Sequence, residues 1–325
     1  MRICIIAVWF GTLPTSFRAW ALSAAYNRGI NFLFVTDQPV DIQYDNIQVL
    51  HYSFANFCEM IKMKLGDDIV LDRPYKLCDY KPAYGEIFEE YLGEYEYWGY
   101  CDIDLVFGDL LSSFKNYSLD KYDKFLRLGH LTIYKNKPDL VQLYRHSENW
   151  EITSHTERIT IFDERQVGGV HEQFIINEYD VFEKRIFVDI TRYKNRFTSI
   201  IRSKKEDRSY RFEIYIWENG KLYRVYFKGL KCKSDEILYV HFQKRIIVDH
   251  VDWKEEPKCF SLSRYGIEKL DSKDKVNLGY IFKRNPYKGC VVEKIEEILM
   301  QKKENPYLYS FKRLYNRTAK KLKDR

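Results

Sequence analysis

The chain has 325 residues, 45% of them hydrophobic and 31% charged, which excludes both a disordered chain and a single minimal domain. Its net charge of +6 is concentrated in residues 301–325, where nine Lys/Arg face only Glu304 and Asp324; +6 overall less +7 in that tail leaves −1 for the remainder, so general nucleic-acid binding is not favoured. Seven Cys with no CxxC spacing fit reduced thiols rather than a disulfide framework or a zinc site, and no apolar run reaches the roughly 20 residues that span a bilayer, so a cytoplasmic protein is expected.

In chain order, "ICIIAVWF" (3–10) is a continuous apolar run of the kind that forms a strand buried on both faces. Phe17, Trp20, Ala21 and Ala24 have helical spacing, with Gly29 as a stop. "NFLFVTD" (31–37) and "IQVLHY" (47–52) read as strands, and "FANFCEMIKMKLG" (54–66) as a helix closed by Gly66. A helix is predicted over "KPAYGEIFEEYL" (81–92), then a strand at about 97–102 within "WGYCDIDLVFGDL". One or two strands follow in 122–136, and helical patterns in 139–150 and 171–179. "RFEIYIWENGKLYRVYF" (211–227) holds two alternating runs around Asn219-Gly220, the dipeptide favoured in a type I′ hairpin turn. "EILYVHFQKR" (236–245) reads as a late strand. The expected boundary lies near 250–260, dividing a domain 1–250 from an extension 251–325 of charged, mostly helical sequence. This rhythm predicts an α/β fold whose strand ends carry polar residues.

The chemistry centres on Asp102 and Asp104. On a strand they point the same way, and the apolar runs on either side leave their like charges poorly solvated. A hard divalent cation, Mg²⁺ or Mn²⁺, removes that cost, and such ions complete their shells with water and substrate phosphates. The plainer reading is a solvated turn or cap. His241, ending the late strand before Lys244 and Arg245, is a competent third ligand, with the two cations suited to phosphate oxygens. Asp109, beyond Gly108, reads as a cap outside the metal set.

"CDYKPAYGEIFEEYLGEYEYWGYCDID" resembles the segment of GT-A-fold sugar transferases in which a helix leads into the strand bearing Asp-X-Asp. The similarity is to bacterial polysaccharide glycosyltransferases of capsule or O-antigen type, and more distantly to families 8 and 32. It covers about residues 1–250, with later landmarks at "GHLTIYKN" (129–136), "FDERQVGGVHEQFIIN" (162–177) and "YVHFQKR" (239–245). The resemblance implies a GT-A-like, Rossmann-like mixed central sheet flanked by helices, with His241 completing the metal shell and Lys244 or Arg245 holding the donor diphosphate. "HEQFIIN" is similar to the Asp-Gln-X-X-X-Asn helix start of those families but carries Glu172 where they carry Asp. Asp163 and Glu164 are the alternative carboxylates for an acceptor hydroxyl. Asp79 and Lys81 are candidates for contact with the nucleotide or its phosphates, Asp102 also for the donor. Val8, Trp9, Phe10 and Asp37 lie at strand ends where such folds seat the nucleoside.

The expected activity is transfer of a hexose from a nucleoside diphosphate sugar, a UDP-sugar first, to a saccharide acceptor that could be carried on a polyprenyl diphosphate. Leu308, Phe311, Tyr315 and Leu322 share one helical face of the basic tail, which suits the anionic inner face of the cytoplasmic membrane. Two other readings use the same residues: a metal-dependent nucleotidyltransferase or phosphatase, and a non-enzymatic membrane-peripheral binding protein.

Overall fold

A computed structural model of the chain describes residues 1–165, 167–200, 210–243 and 245–304. Within them the chain forms two compact units. The first comprises Met1–Phe187, Asn219–Leu222 and Ile237–His241, and the second the described residues of the remainder.

The first unit is built on a seven-stranded sheet of β1 (Ile3–Trp9), β2 (Asn31–Thr36), β3 (Ile47–His51), β4 (Tyr97–Cys101), β6 (Lys124–Phe125), β7 (Leu131–Lys135) and β8 (Val181–Phe182), in the order β3-β2-β1-β4-β7-β6-β8; the short β5 (Leu105–Phe107) follows β4 outside it. Strands β3, β2, β1 and β4 run parallel to one another, and β7 enters antiparallel against β4. The alternation of β1 explains its unbroken apolar run. Ile3, Ile5 and Ala7 enter one core with Trp20 and Phe34, while Cys4 and Ile6 enter the opposite core with Phe57, Tyr84 and Trp98. Helix Phe17–Ala25 packs on the first face and helix Phe54–Leu65, capped by Ser53 and ended at Gly66, on the second.

The second unit carries β9 (Val188–Asp189) and a five-stranded sheet whose strands are β10 (Glu213–Glu218), β11 (Lys221–Lys228), β12 (Lys231–Glu236), β14 (Cys259–Ser263) and β15 (Gly266–Lys269), in the order β12-β11-β10-β14-β15. The β10–β11 turn has φ of 49° at Asn219 and 84° at Gly220, both left-handed as a type I′ turn requires. Strand β13 (Tyr239–His241) returns to the first unit.

Three elements differ from expectation. The helix expected over 81–92 is not continuous: a 3₁₀ segment Pro74–Ala83 gives way to short helices Tyr84–Ile87 and Glu89–Leu92, broken at Phe88. The helical pattern expected over 139–150 is likewise divided, into helix Pro138–Val141, a 3₁₀ turn and helix Glu148–Ser154. The sequence after 250 is not chiefly helical at first, because Cys259, Phe260 and Leu262 are buried in β14, which pairs antiparallel with β10. Helices begin only at Leu278–Arg284 and Cys290–Glu304. Leu308, Phe311, Tyr315 and Leu322 lie outside the described residues. All seven Cys are free thiols, and no helix among the described residues is long and apolar enough to cross a membrane.

Candidate functional site

The site starts where β4 ends. Asp102 N–H donates to the His130 carbonyl at 3.1 Å, after which the chain bends into β5. Ile103 is buried in the core between the two aspartates, so Asp102 and Asp104 share the opposite, more exposed side. Strand β5 pairs antiparallel with β13, placing His241 opposite Leu105. That ladder brings a histidine from far along the chain beside Asp104. His241 Nε2 lies 3.4 Å from Asp104 Oδ1 and 4.0 Å from Asp102 Oδ2. The imidazole stacks on His130 with ring centroids 4.4 Å apart, and His130 Nδ1 is 2.7 Å from the Tyr239 hydroxyl. The donor atoms of Asp102, Asp104 and His241 all fall within 4.8 Å of one another. Two carboxylates and an imidazole fit Mn²⁺ or Mg²⁺, with further coordination left to water and phosphate oxygens.

Lys81, at the end of the 3₁₀ segment, is the hub on the other side of Asp102. Its Nζ lies 2.6 Å from Asp102 Oδ1, 2.9 Å from the Gly129 carbonyl and 3.6 Å from Asp163 Oδ2. Burial works against the ammonium charge, but Asp102 and Asp163 outweigh it and hold the group well above its usual range. Part of the like-charge cost at Asp102 is therefore offset by a residue of this chain.

Asp163 is buried, and burial pushes its carboxyl up to about 7; Lys81 opposes that rise, while Glu164 and Asp102 add to it. The carboxyl fits only because residue 129 is glycine. A Cβ there would overlap Asp163 Oδ2. The Gly129 N–H donates to Glu164 Oε1 at 3.1 Å, so both neighbouring carboxylates meet this one glycine.

Asp79, expected at the nucleotide, is instead internal, which corrects that expectation. It is fully buried and paired with Lys76 Nζ at 2.8 Å, and it accepts the N–H groups of Thr160 at 2.9 Å and Phe162 at 3.1 Å. Lys76 also donates to the carbonyls of Thr153 and Arg158. The pair thus braces the loop that delivers Asp163. Within that brace Ile161 takes a φ of 58°, a strained conformation for a β-branched residue.

The other candidates divide clearly. Val8 and Trp9 continue β1 beyond Ile6, which pairs with Tyr100, and so lie toward the same strand end as Asp102. Phe10 is buried against Phe54 and Phe57 and serves the core. Asp37, just past β2, accepts through Oδ1 the N–H of Gly11, just past β1, at 2.8 Å. Glu172 turns back on the Gly168 N–H at 2.6 Å. Arg245, in the second unit, is committed to the carbonyls of Thr191, Lys194 and Asn195, which leaves little of its guanidinium for phosphate. Lys244 lies outside the described residues. Asp109 caps helix Leu110–Asn116 through the Ser112 N–H at 2.9 Å, as its position after Gly108 indicates. Gly129 and His130 open the 129–136 stretch expected on the acceptor side, and the structure places them in contact with Lys81, Glu164 and His241.

No curated protein matches the chain. Among solved structures it is similar to the galactosyltransferase LgtC in complex with donor and acceptor sugar analogues, at 12% identity and a TM-score of 0.31, covering 58% of this chain and 75% of that one. A family model described as a family of unknown function, DUF6625, matches residues 5–271. Since that match takes in both the mixed sheet and the Asp102–Asp104–His241 cluster, the chain belongs to the DUF6625 family.

Proposed function

We propose that this chain is a metal-dependent glycosyltransferase of GT-A-like fold. It takes a hexose from a nucleoside diphosphate sugar, a UDP-sugar first, and passes it to a saccharide acceptor in surface polysaccharide synthesis. The observation that carries the reading is the convergence of Asp102, Asp104 and His241 at the end of β4. Asp102, Asp104 and His241 hold the divalent ion, which when bound supplies positive charge to offset the charge growing on the leaving diphosphate.

The chain's own residues do the rest. Lys81, already charged and 2.6 Å from Asp102, offers its remaining donor capacity to a phosphate oxygen. Val8 and Trp9 seat the nucleoside at the ends of the parallel strands. Asp163, with its carboxyl near 7, is poised to accept a hydrogen bond or proton from an acceptor hydroxyl, and Glu164 orients the same backbone. The basic tail places the enzyme peripherally on the inner face of the cytoplasmic membrane, where a polyprenyl-diphosphate-linked acceptor is found.

A thermal-shift panel of UDP, GDP and CMP, each with and without Mn²⁺, tests the reading. The expected outcome is metal-dependent stabilisation by one nucleoside diphosphate, abolished in Asp104→Asn while circular dichroism stays unchanged. Folded wild-type protein that responds to none of the three, or an Asp104→Asn variant that responds fully, would overturn it.

A further inference from the structure

Within electrostatic reach of Asp163 lies a second polar cluster that no role above uses. Lys124 stands on β6 with its side chain wholly buried between the Tyr134 and Phe174 rings, Nζ 5.6 and 5.5 Å from their centroids. Its Nζ has no hydrogen-bond partner among the described residues. His171, also buried, meets Glu183 through Nε2 at 3.0 Å, which leaves Nδ1 without a partner among them. Arg127, half-buried, lies two residues before Gly129 on the same stretch of chain.

The three groups feel one another. Burial and the Arg127 charge push Lys124 down to about 7, while burial, Lys124 and Arg127 push His171 down to about 3. Asp163 and Glu183 pull Lys124 the other way. A neutral His171 donates Nε2–H to Glu183 and keeps Nδ1 as a lone-pair acceptor. Buried polar groups are seldom left without partners, so two orphans, with the half-buried Arg127 three residues beyond Lys124, point to a ligand. Its chemistry follows from theirs. Arg127 and the protonated form of Lys124 want an oxyanion, and Nδ1 wants a hydroxyl next to it. Asp163, 3.6 Å from Lys81 and acting on Lys124, joins this cluster to the one around Asp102.

We propose that Arg127, Lys124 and His171 form the acceptor subsite for a saccharide bearing an oxyanion, a carboxylate or a phosphate, with Arg127 in direct contact and Lys124 supplying charge from below. The assignment of this ligand as the acceptor rests on the glycosyltransferase reading; the oxyanion specificity does not. The full-length protein is titrated by thermal shift with glucuronate, glucose 6-phosphate, glucose and inorganic phosphate, against potassium chloride at matched ionic strength. The wild type should be stabilised by glucuronate or by glucose 6-phosphate, and not by glucose. Arg127→Gln, with unchanged circular dichroism, should weaken that binding at least tenfold, and His171→Phe should do so independently. Equal responses to glucose and glucuronate, no response to either sugar anion whether or not inorganic phosphate binds, or full binding by both variants overturns the proposal. The UDP and Mn²⁺ response of the same preparation is read alongside. A sugar-anion response without it leaves the subsite standing and removes the transferase reading; the reverse pattern does the opposite.

Discussion

A single methyl group at position 129 would collide with the carboxyl of Asp163, so one glycine decides whether that carboxylate can sit beside Lys81. Gly129→Ala should therefore push Asp163 aside and disturb Glu164, whose carboxylate accepts the same residue's N–H. A loss of transfer of about a hundredfold is expected, with stability lowered by about 1–3 kcal/mol, as for other overpacked sites. A Gly129→Ala variant with wild-type turnover would remove Asp163 from the site. Lys124 makes a prediction of its own sign. Its folded value near 7 lies below that of an unfolded lysine, so between about pH 7 and pH 10 the unfolded chain binds the extra proton and wild-type stability rises with pH. Lys124→Met should thus stabilise the protein by about 3 kcal/mol at pH 6.5, with the gain shrinking as pH approaches 10. Urea denaturation at the two pH values checks it; a gain that grows with pH, or none at either, sinks the account. Keeping a residue that costs stability is what a binding role for Lys124 requires.

At the scale of elements, the 3₁₀ segment Pro74–Ala83 supplies Lys76 and Asp79 to the 158–162 loop and Lys81 to the aspartate pair. Asp79→Ala leaves the Lys76 ammonium buried without its carboxylate and two loop N–H groups without an acceptor. A loss of about 3–5 kcal/mol is expected, with faster hydrogen exchange at Phe162, and a loss below about 1 kcal/mol would show that the brace is decorative. This segment also marks where sequence reading ends. The strand β1, helix Phe54–Leu65 and the Asn219-Gly220 hairpin were legible because local pattern and tertiary environment agree there. Asp102 and Asp104 were legible as candidates because charge in an apolar run has few explanations, and His241 because it ends a strand before two cations where the family resemblance implies a metal ligand. Asp79 was a candidate for the nucleotide and Lys76 for nothing, since a charged pair reads as surface until the fold buries it; the helical pattern predicted for 81–92 is broken at Phe88. Arg245 misled for a related reason: its pull on three backbone carbonyls depends on a loop that no spacing rule places. The strands β14 and β15 were hidden by the charged residues around them.

At the scale of the whole chain, charge is distributed as if two tasks had been separated. The first 300 residues sum to about −1, and residues 301–325 carry +7. On the proposed function, a near-neutral body would give a sugar nucleotide little long-range attraction, and donor binding would rest on local groups such as Lys81 and a cation held by the aspartate pair. The tail acts otherwise. Each Lys or Arg near an anionic membrane contributes about 1 kcal/mol, and the effect fades within a Debye length of about 8 Å at physiological salt. On the proposed function, the seven Lys/Arg from Lys312 to Arg325 would hold the chain on anionic lipid, whereas zwitterionic lipid, with no net surface charge, would not attract them. Deleting residues 305–325 should lower affinity for phosphatidylglycerol vesicles at least about tenfold. Half-molar salt should release the intact chain to the same degree, while phosphatidylcholine vesicles bind neither form. The truncated protein should keep its metal-dependent response to the nucleoside diphosphate, because every residue assigned to the donor lies before the deletion. Cosedimentation of the two forms decides between the tail and the body as the membrane contact: vesicle binding that survives truncation would place the contact in the body, and the charge separation would then serve some other end.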